Sequence, residues 1–212
     1  LGGGAELLLG SPFVVAAAET YMGLVEIGVG VVPAGGGLAE LAGRVYAHRY
    51  EQVEEIARLK KVFDHVIFAK VSGNAYEARE MGYLRATDLI IQNEELVLEA
   101  ALQKADLEAG FNYVPQTRER HAVEGSNFRA LALAQLDSLV TGGFATDYEK
   151  TIGAEVATVL AGGDVPRGVD LGQDDFLALE KAAFLRLCQN GKTLERMQHM
   201  LQTKRVLRNS PS

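Results

Sequence analysis

The stretch Gly2-Gly3-Gly4-Ala5-Glu6-Leu7-Leu8-Leu9, followed by Phe13-Val14-Val15-Ala16-Ala17-Ala18 and Tyr21-Met22-Gly23-Leu24-Val25-Glu26, decides how this 212-residue chain is read. Ala5 to Leu9, after three glycines, suits the opening turns of a helix. Phe13–Ala18 is a short apolar run of the kind a buried strand uses, and Tyr21–Val25 could be another. Gly35-Gly36-Gly37 makes a flexible turn before Leu38-Ala39-Glu40-Leu41, a second helical start. Strands, glycine turns and short helices in this order predict an α/β layer.

Outward from this stretch the composition changes. Residues 1–43 carry only Glu6, Glu19, Glu26 and Glu40 as charges, and the first basic residue is Arg44. Beyond it the chain is dense in Leu, Ala, Glu, Lys and Arg, which predicts helices. Amphipathic patterning covers 52–68. Asn74 and Glu77 have capping-box spacing, with Asn in place of Ser or Thr. A helix over 94–110 follows. Phe128, Leu131, Leu136, Leu139 and Val140 mark the apolar face of a helix ending at Gly142-Gly143. Thr146-Asp147-Tyr148-Glu149 is a capping box, opening a helix that runs to Gly162-Gly163. Phe176, Leu177, Ala183, Phe184 and Leu187 describe a helix ending near Gly191, before a last short one to about Lys204. Residues 114–124 and 162–172 read as linkers.

The net charge of −7, from 28 acidic and 21 basic residues, argues against a nucleic-acid partner, which would call for a basic face. One cysteine, Cys188, excludes an internal disulfide and a cysteine zinc cage. It reads as a small core residue. Residues 7–39 are the most apolar region, but Glu19, Glu26, Pro12 and Pro33 interrupt them, so no membrane span is expected. No secretory leader opens the chain, and the expected location is cytoplasmic. His48, His65, His121 and His199 lack metal-ligand spacing, and surface or locally hydrogen-bonded roles are expected of them. Lys60-Lys61 and Lys204-Arg205 read as solvated helix faces or ends, and Ser72 and Asn74 as caps.

Chemistry concentrates at the start of the chain. Gly2-Gly3-Gly4 places bare N–H groups at a helix N-terminus, where they can bind an anion or a developing oxyanion. Glu6 follows, and Glu26 lies twenty residues on, among Leu24, Val25, Ile27 and Val29. Such neighbours should desolvate the Glu26 carboxylate and raise its pKa into the range useful for acid–base work. The plainer reading stays open on these residues alone: a tight helix start, Glu6 as a favourable charge on the helix dipole, and Glu26 at a strand end in water. Gly28-Val29-Gly30-Val31-Val32-Pro33 lacks the third glycine of a dinucleotide fingerprint, and no Gly-Lys-Ser/Thr follows Gly35–Gly37.

The stretch from Gly2 to Leu7 with the one from Ala16 to Gly37 resembles the crotonase (enoyl-CoA hydratase/isomerase) superfamily. It is closest in kind to the hydratase module at the C-terminal end of bacterial multifunctional 3-hydroxyacyl-CoA dehydrogenases. Lys70-Val71-Ser72-Gly73-Asn74-Ala75-Tyr76-Glu77-Ala78-Arg79-Glu80, Gly142-Gly143-Phe144, Gly162-Gly163-Asp164-Val165-Pro166 and Val206-Leu207-Arg208-Asn209 resemble the same subgroup. The resemblance implies a helix-rich α/β chain. Residues 1–113 would form part of a crotonase (spiral ββα) fold, and 114–212 an all-helical C-terminal extension.

It also implies roles. Glu6 and Glu26 match the two catalytic glutamates of a hydratase, and Gly3 matches a glycine whose N–H forms half of the oxyanion hole. The substrate would be an acyl-CoA thioester. This segment itself would hold no cofactor, while NAD would serve a dehydrogenase elsewhere in the parent chain. The rest of that chain and a second copy of the protein are the other expected partners. Gly10-Ser11-Pro12 departs from the family's Cys-Asp. The family's second oxyanion N–H and much of its CoA surface precede the glycine run, so Leu1-Gly2-Gly3-Gly4 reads as a cut through the motif, and the fragment alone is expected to be inactive. A helical docking or oligomerisation module, or another crotonase-type isomerase or hydrolase, are the alternative expectations.

Overall fold

The computed structural model describes residues 1–47, 52–115 and 119–209, which leaves His48 and part of the first expected linker outside the described residues. The chain runs α1 (Gly3–Leu9), β1 (Val15–Ala17), a 3-10 turn (Glu26–Val29), α2 (Gly37–Ala47), α3 (Gln52–Ile67), α4 (Ala75–Glu80) and β2 (Leu89–Ile91). A second 3-10 turn (Glu94–Leu96) leads into α5 (Val97–Gly110). Then come β3 (His121–Ala122), α6 (Ser126–Thr141), α7 (Asp147–Ala161), β4 (Asp170–Leu171), α8 (Gln173–Cys188) and α9 (Gly191–Thr203).

The expected α/β layer is small. Among the described residues β1 pairs only with β2, in parallel, with Val15 opposite Leu89 and Ala17 opposite Ile91. The expected strand at Tyr21–Val25 does not form, because its backbone groups bond to separate partners and make no ladder. Met22 N–H donates to Ser72 Oγ and Leu24 N–H to Tyr83 Oη. Met22 C=O accepts from Ser72 N–H, and Gly23 C=O from Gly2 N–H at 2.9 Å. The two expected linkers also differ from plain connectors: β3 and β4 lie in them and pair antiparallel.

Helix α2 is the central element. It packs against α1, α3, α7 and α8, and buries Leu38, Ala39, Leu41, Ala42, Val45 and Tyr46. The Tyr46 hydroxyl donates to Leu160 C=O at 3.0 Å and accepts from Glu124 N–H, so the burial of this phenol leaves its oxygen partnered. Helices α6 and α7 approach closely at Gly153, where a Cβ would fall 2.7 Å from Leu136 Cδ2. One contiguous apolar core thus joins residues on both sides of position 113.

The helical stripes are narrower than expected. On α6 the buried positions are Phe128, Ala132 and Leu136, four residues apart, while Leu131 is 41% exposed. On α8 they are Phe176, Glu180, Ala183 and Leu187, with Leu177 turned out. Helix α5 buries no residue, and leaves Leu98, Leu102, Leu107 and Phe111 exposed on opposite sides. Among the described residues no helix is long and apolar enough to cross a membrane.

Local signals hold where they close on themselves. Asn74 Oδ1 accepts from Glu77 N–H, and Glu77 reaches back to Gly73 N–H. At α7 the full capping box forms, with Thr146 Oγ1 accepting from Glu149 N–H and Glu149 Oε2 from Thr146 N–H. Thr146→Ala is expected to cost about 1 kcal/mol, read as a lower urea midpoint with unchanged slope. A change within error would show that α7 is held by packing alone.

Candidate active site

Helix α1 starts from a sharply turned Gly2, at φ +56° and ψ −136°. That left-handed backbone suits glycine, and a Cβ there would also come 3.2 Å from Glu26 Oε1. Gly2 and Glu26 are therefore neighbours, tied by the Gly2 to Gly23 hydrogen bond. Among the described residues neither Gly3 N–H nor Gly4 N–H meets a backbone acceptor. Open space lies over both α-carbons. At the other end of α1, Arg44 and Arg85 donate to Leu9 C=O at 3.0 and 3.2 Å, placing cations on the helix C-terminus.

Glu6 points inward from α1 and is 8% exposed. Its Oε1 accepts from Gly35 N–H at 2.8 Å and from Gly37 N–H at 3.0 Å. The Gly35–Gly37 segment, expected as a flexible turn, is thus a cradle for this carboxylate at the N-terminus of α2. The absence of side chains is required: a Cβ on Gly35 would fall 2.8 Å from Glu6 Oε2, and one on Gly37 2.9 Å from Oε1.

Glu26 is placed differently. It opens the 3-10 turn, and neither of its buried carboxyl oxygens has a hydrogen-bond partner among the described residues. Burial pushes this carboxyl up to about 7, and the nearby charge of Glu6 adds to the rise. Two carboxyl groups with unlike environments consequently stand beside one helix N-terminus. The first is held by two amides, and the second, buried without a partner, is suited to hold a proton.

The C-terminal helices supply residues that the sequence reading missed. Glu180, fully buried on α8, accepts from Gly36 N–H at 3.0 Å and from Ala39 N–H at 2.7 Å. Burial raises its carboxyl to about 7, with Glu6 adding and the Ala39 and Gly36 amides opposing. A signal was present, since Glu180 lies four residues after Phe176 and three before Ala183, on the apolar stripe. From α9, Thr193 Oγ1 donates to Gly30 C=O at 2.6 Å, and also bonds the Tyr148 hydroxyl. Arg196, 1% exposed, donates to Ile27 C=O at 3.2 Å and to Asn209 Oδ1 at 2.6 Å. These two residues fix the turn that carries Glu26.

Of the other residues singled out, Cys188 packs half-buried against the core, and Ser72 holds Met22 rather than capping a helix. His65 is buried rather than on the surface, and it keeps a local hydrogen bond to the Met81 backbone. Its Nδ1 lacks a partner among the described residues, and burial, then Lys70 and Lys61, lower its pKa. With Lys60, Lys61, Asp64, Phe68 and Lys70 it lines a surface hollow that includes none of the three carboxylates.

No family model matches the chain. It aligns over 209 residues, at 37% identity, with a Bacillus subtilis (strain 168) protein named "Probable 3-hydroxyacyl-CoA dehydrogenase", covering 99% of this chain and 26% of that protein. A Rickettsia felis protein named "Putative fatty acid oxidation complex trifunctional enzyme" aligns over 197 residues at 24% identity, covering 93% of this chain and 24% of that protein. The chain therefore spans about a quarter of the length of these two relatives. A Rickettsia prowazekii protein of the same name is 39% identical over 59 residues, 28% of this chain and 8% of that protein.

Proposed function

We propose that this chain is the hydratase portion of a crotonase-type enzyme of fatty-acid oxidation. It would add water across the double bond of a 2-enoyl-CoA to give the 3-hydroxyacyl-CoA. An NAD-dependent 3-hydroxyacyl-CoA dehydrogenase, elsewhere in the same protein, would consume that product. The observation that carries the reading is the juxtaposition of two unlike carboxyl groups, Glu6 on its amide cradle and the unpartnered Glu26, at the glycine start of α1. The names of the relatives support the pathway.

In this mechanism Glu6 takes a proton from water as its oxygen bonds to the β-carbon, and Glu26 gives a proton to the α-carbon. Charge developing on the thioester oxygen is met by Gly3 N–H, a donor already oriented before reaction. By the resemblance, the second donor belongs to a segment preceding the glycine run. The net change is one water added, with both carboxyl groups restored after a proton returns to Glu26.

The test is hydration of crotonyl-CoA in deuterium oxide by the intact protein, followed by loss of the enoyl thioester absorbance. The expected product carries one deuterium at the α-carbon and a hydroxyl at the β-carbon. Migration of the double bond, or release of free CoA, would replace hydration with isomerisation or hydrolysis.

A second reading has one observation behind it. Leu98, Leu102 and Leu107 of α5 are exposed although the helix buries no residue, and clustered exposed apolar side chains mark interaction surfaces. On that reading the helices dock other parts of a longer protein or a second copy. Full hydration after replacement of both Glu6 and Glu26 would favour it.

A further inference from the structure

We propose that Glu180 is a positioning residue for Glu6, so that the C-terminal helix α8 sets the geometry of the hydration site. The inference rests on the hydratase reading above. Its basis is the way two carboxylates share one turn. Along Gly35-Gly36-Gly37, successive amides alternate between them: Gly35 N–H goes to Glu6, Gly36 N–H to Glu180 and Gly37 N–H to Glu6. Ala39 N–H then returns to Glu180.

Three consecutive glycines have more backbone freedom than any other tripeptide. The two bonds to Glu6 leave the Gly36 N–H between them without an acceptor of its own. Glu180 supplies it, from 144 residues away in sequence. It also satisfies amides that the first turn of a helix leaves without intrahelical acceptors. Gly36 itself sits at φ +100°, with Leu177 of α8 the nearest group to its missing Cβ, at 3.6 Å. Helix α8 thus backs the turn with both a carboxylate and an apolar contact.

Glu180→Gln keeps size and shape but turns one of the two acceptors into a donor facing an amide N–H. With the protein folded, kcat for hydration is expected to fall on the order of 10- to 100-fold, the range that a displacement of a reacting group brings. KM for the enoyl-CoA should stay within about twofold, since Glu180 is fully buried and closed to a ligand. The Gly35 and Gly37 amide resonances, seen by selective glycine labelling, should move with those of Gly36. An unchanged kcat with Gly35 and Gly37 undisturbed would overturn the proposal. If the variant does not fold, the unmodified protein gives the answer. Titration of the Glu180 carboxyl must then be mirrored at Gly35 and Gly37, and a response confined to Gly36 and Ala39 would overturn the proposal. Displaced Gly35 and Gly37 resonances in a protein whose unmodified form does not hydrate enoyl-CoA would refute the hydratase reading and leave the positioning role standing.

Discussion

Glu26→Gln is expected to lower the rate of enoyl-CoA hydration by roughly 10²- to 10⁴-fold, the usual contribution of a positioned proton donor, without loss of stability. The two halves of this expectation have one cause. Neither Glu26 oxygen has a full hydrogen bond among the described residues. Burial raises its carboxyl from an ordinary 4.5 to about 7, with the Glu26 and Val25 backbone amides opposing and Glu6 adding to the rise. Between those values the native state holds a proton that the unfolded chain has released. Its contribution to stability is complete below about 4.5 and is lost as pH rises through about 7. Glu180, raised to about 7 by burial, adds a slope of the same sign.

Glutamine resembles the neutral form of Glu26 that the fold favours. The variant should therefore be at least as stable as the wild type at pH 8, and its urea midpoint should depend less on pH between 5 and 8. The wild-type hydration rate should decline as pH rises past about 7, because the donor loses its proton. Retained hydration in Glu26→Gln would remove Glu26 from the mechanism. Lost hydration together with a much lower urea midpoint would instead make it a structural residue.

Arg196→Ala is expected to give the largest loss of stability, about 3–5 kcal/mol, as when one member of a buried charged network is removed. The side chain is almost fully buried, with its guanidinium carbon 5.3 Å from the Tyr148 ring centroid and Nη2 3.9 Å from Glu149 Oε1. Truncation strips Ile27 C=O and Asn209 Oδ1 of their donor and leaves a cavity. At this chain length the melting temperature should drop on the order of 10 °C. Lysine should rescue little, since one ammonium cannot reproduce a planar fork reaching several acceptors. Arg186→Ala is the matched control: Arg186 pairs with Glu155 at 2.6 Å with its side chain 53% exposed, and such pairs contribute about 1 kcal/mol or less. Equal losses in the two variants would show that the Arg196 network is dispensable.

What could be read from the sequence was what neighbours in sequence decide. Thr146 and Glu149 form their box from groups three residues apart, and the apolar flanks of Glu26 predicted its desolvation. The α6 and α8 stripes were read too wide, at Leu131 and Leu177, because which apolar residues face inward depends on the helix packed opposite. Tyr21–Val25 has strand-like composition, but a strand needs a ladder, and its partners at Ser72, Tyr83 and Gly2 arrive singly. Leu89-Ile90-Ile91 has apolar, β-branched composition and was passed over, since its pairing partner lies 74 residues earlier. No local signal marked Gly35–Gly37 as a cradle, because the groups it receives come from α1 and α8.

The Glu180 hydrogen bonds that complete this cradle bridge 144 residues, which bears on the order of events during synthesis. A ribosome adding about 5–20 residues each second would expose Glu6 and Glu26 well before α8 emerges, by an interval of roughly 7–30 s. For that time the nascent chain carries both carboxyl groups without the element that steadies their turn. Assembly of the site therefore waits until α8 has been translated and docked.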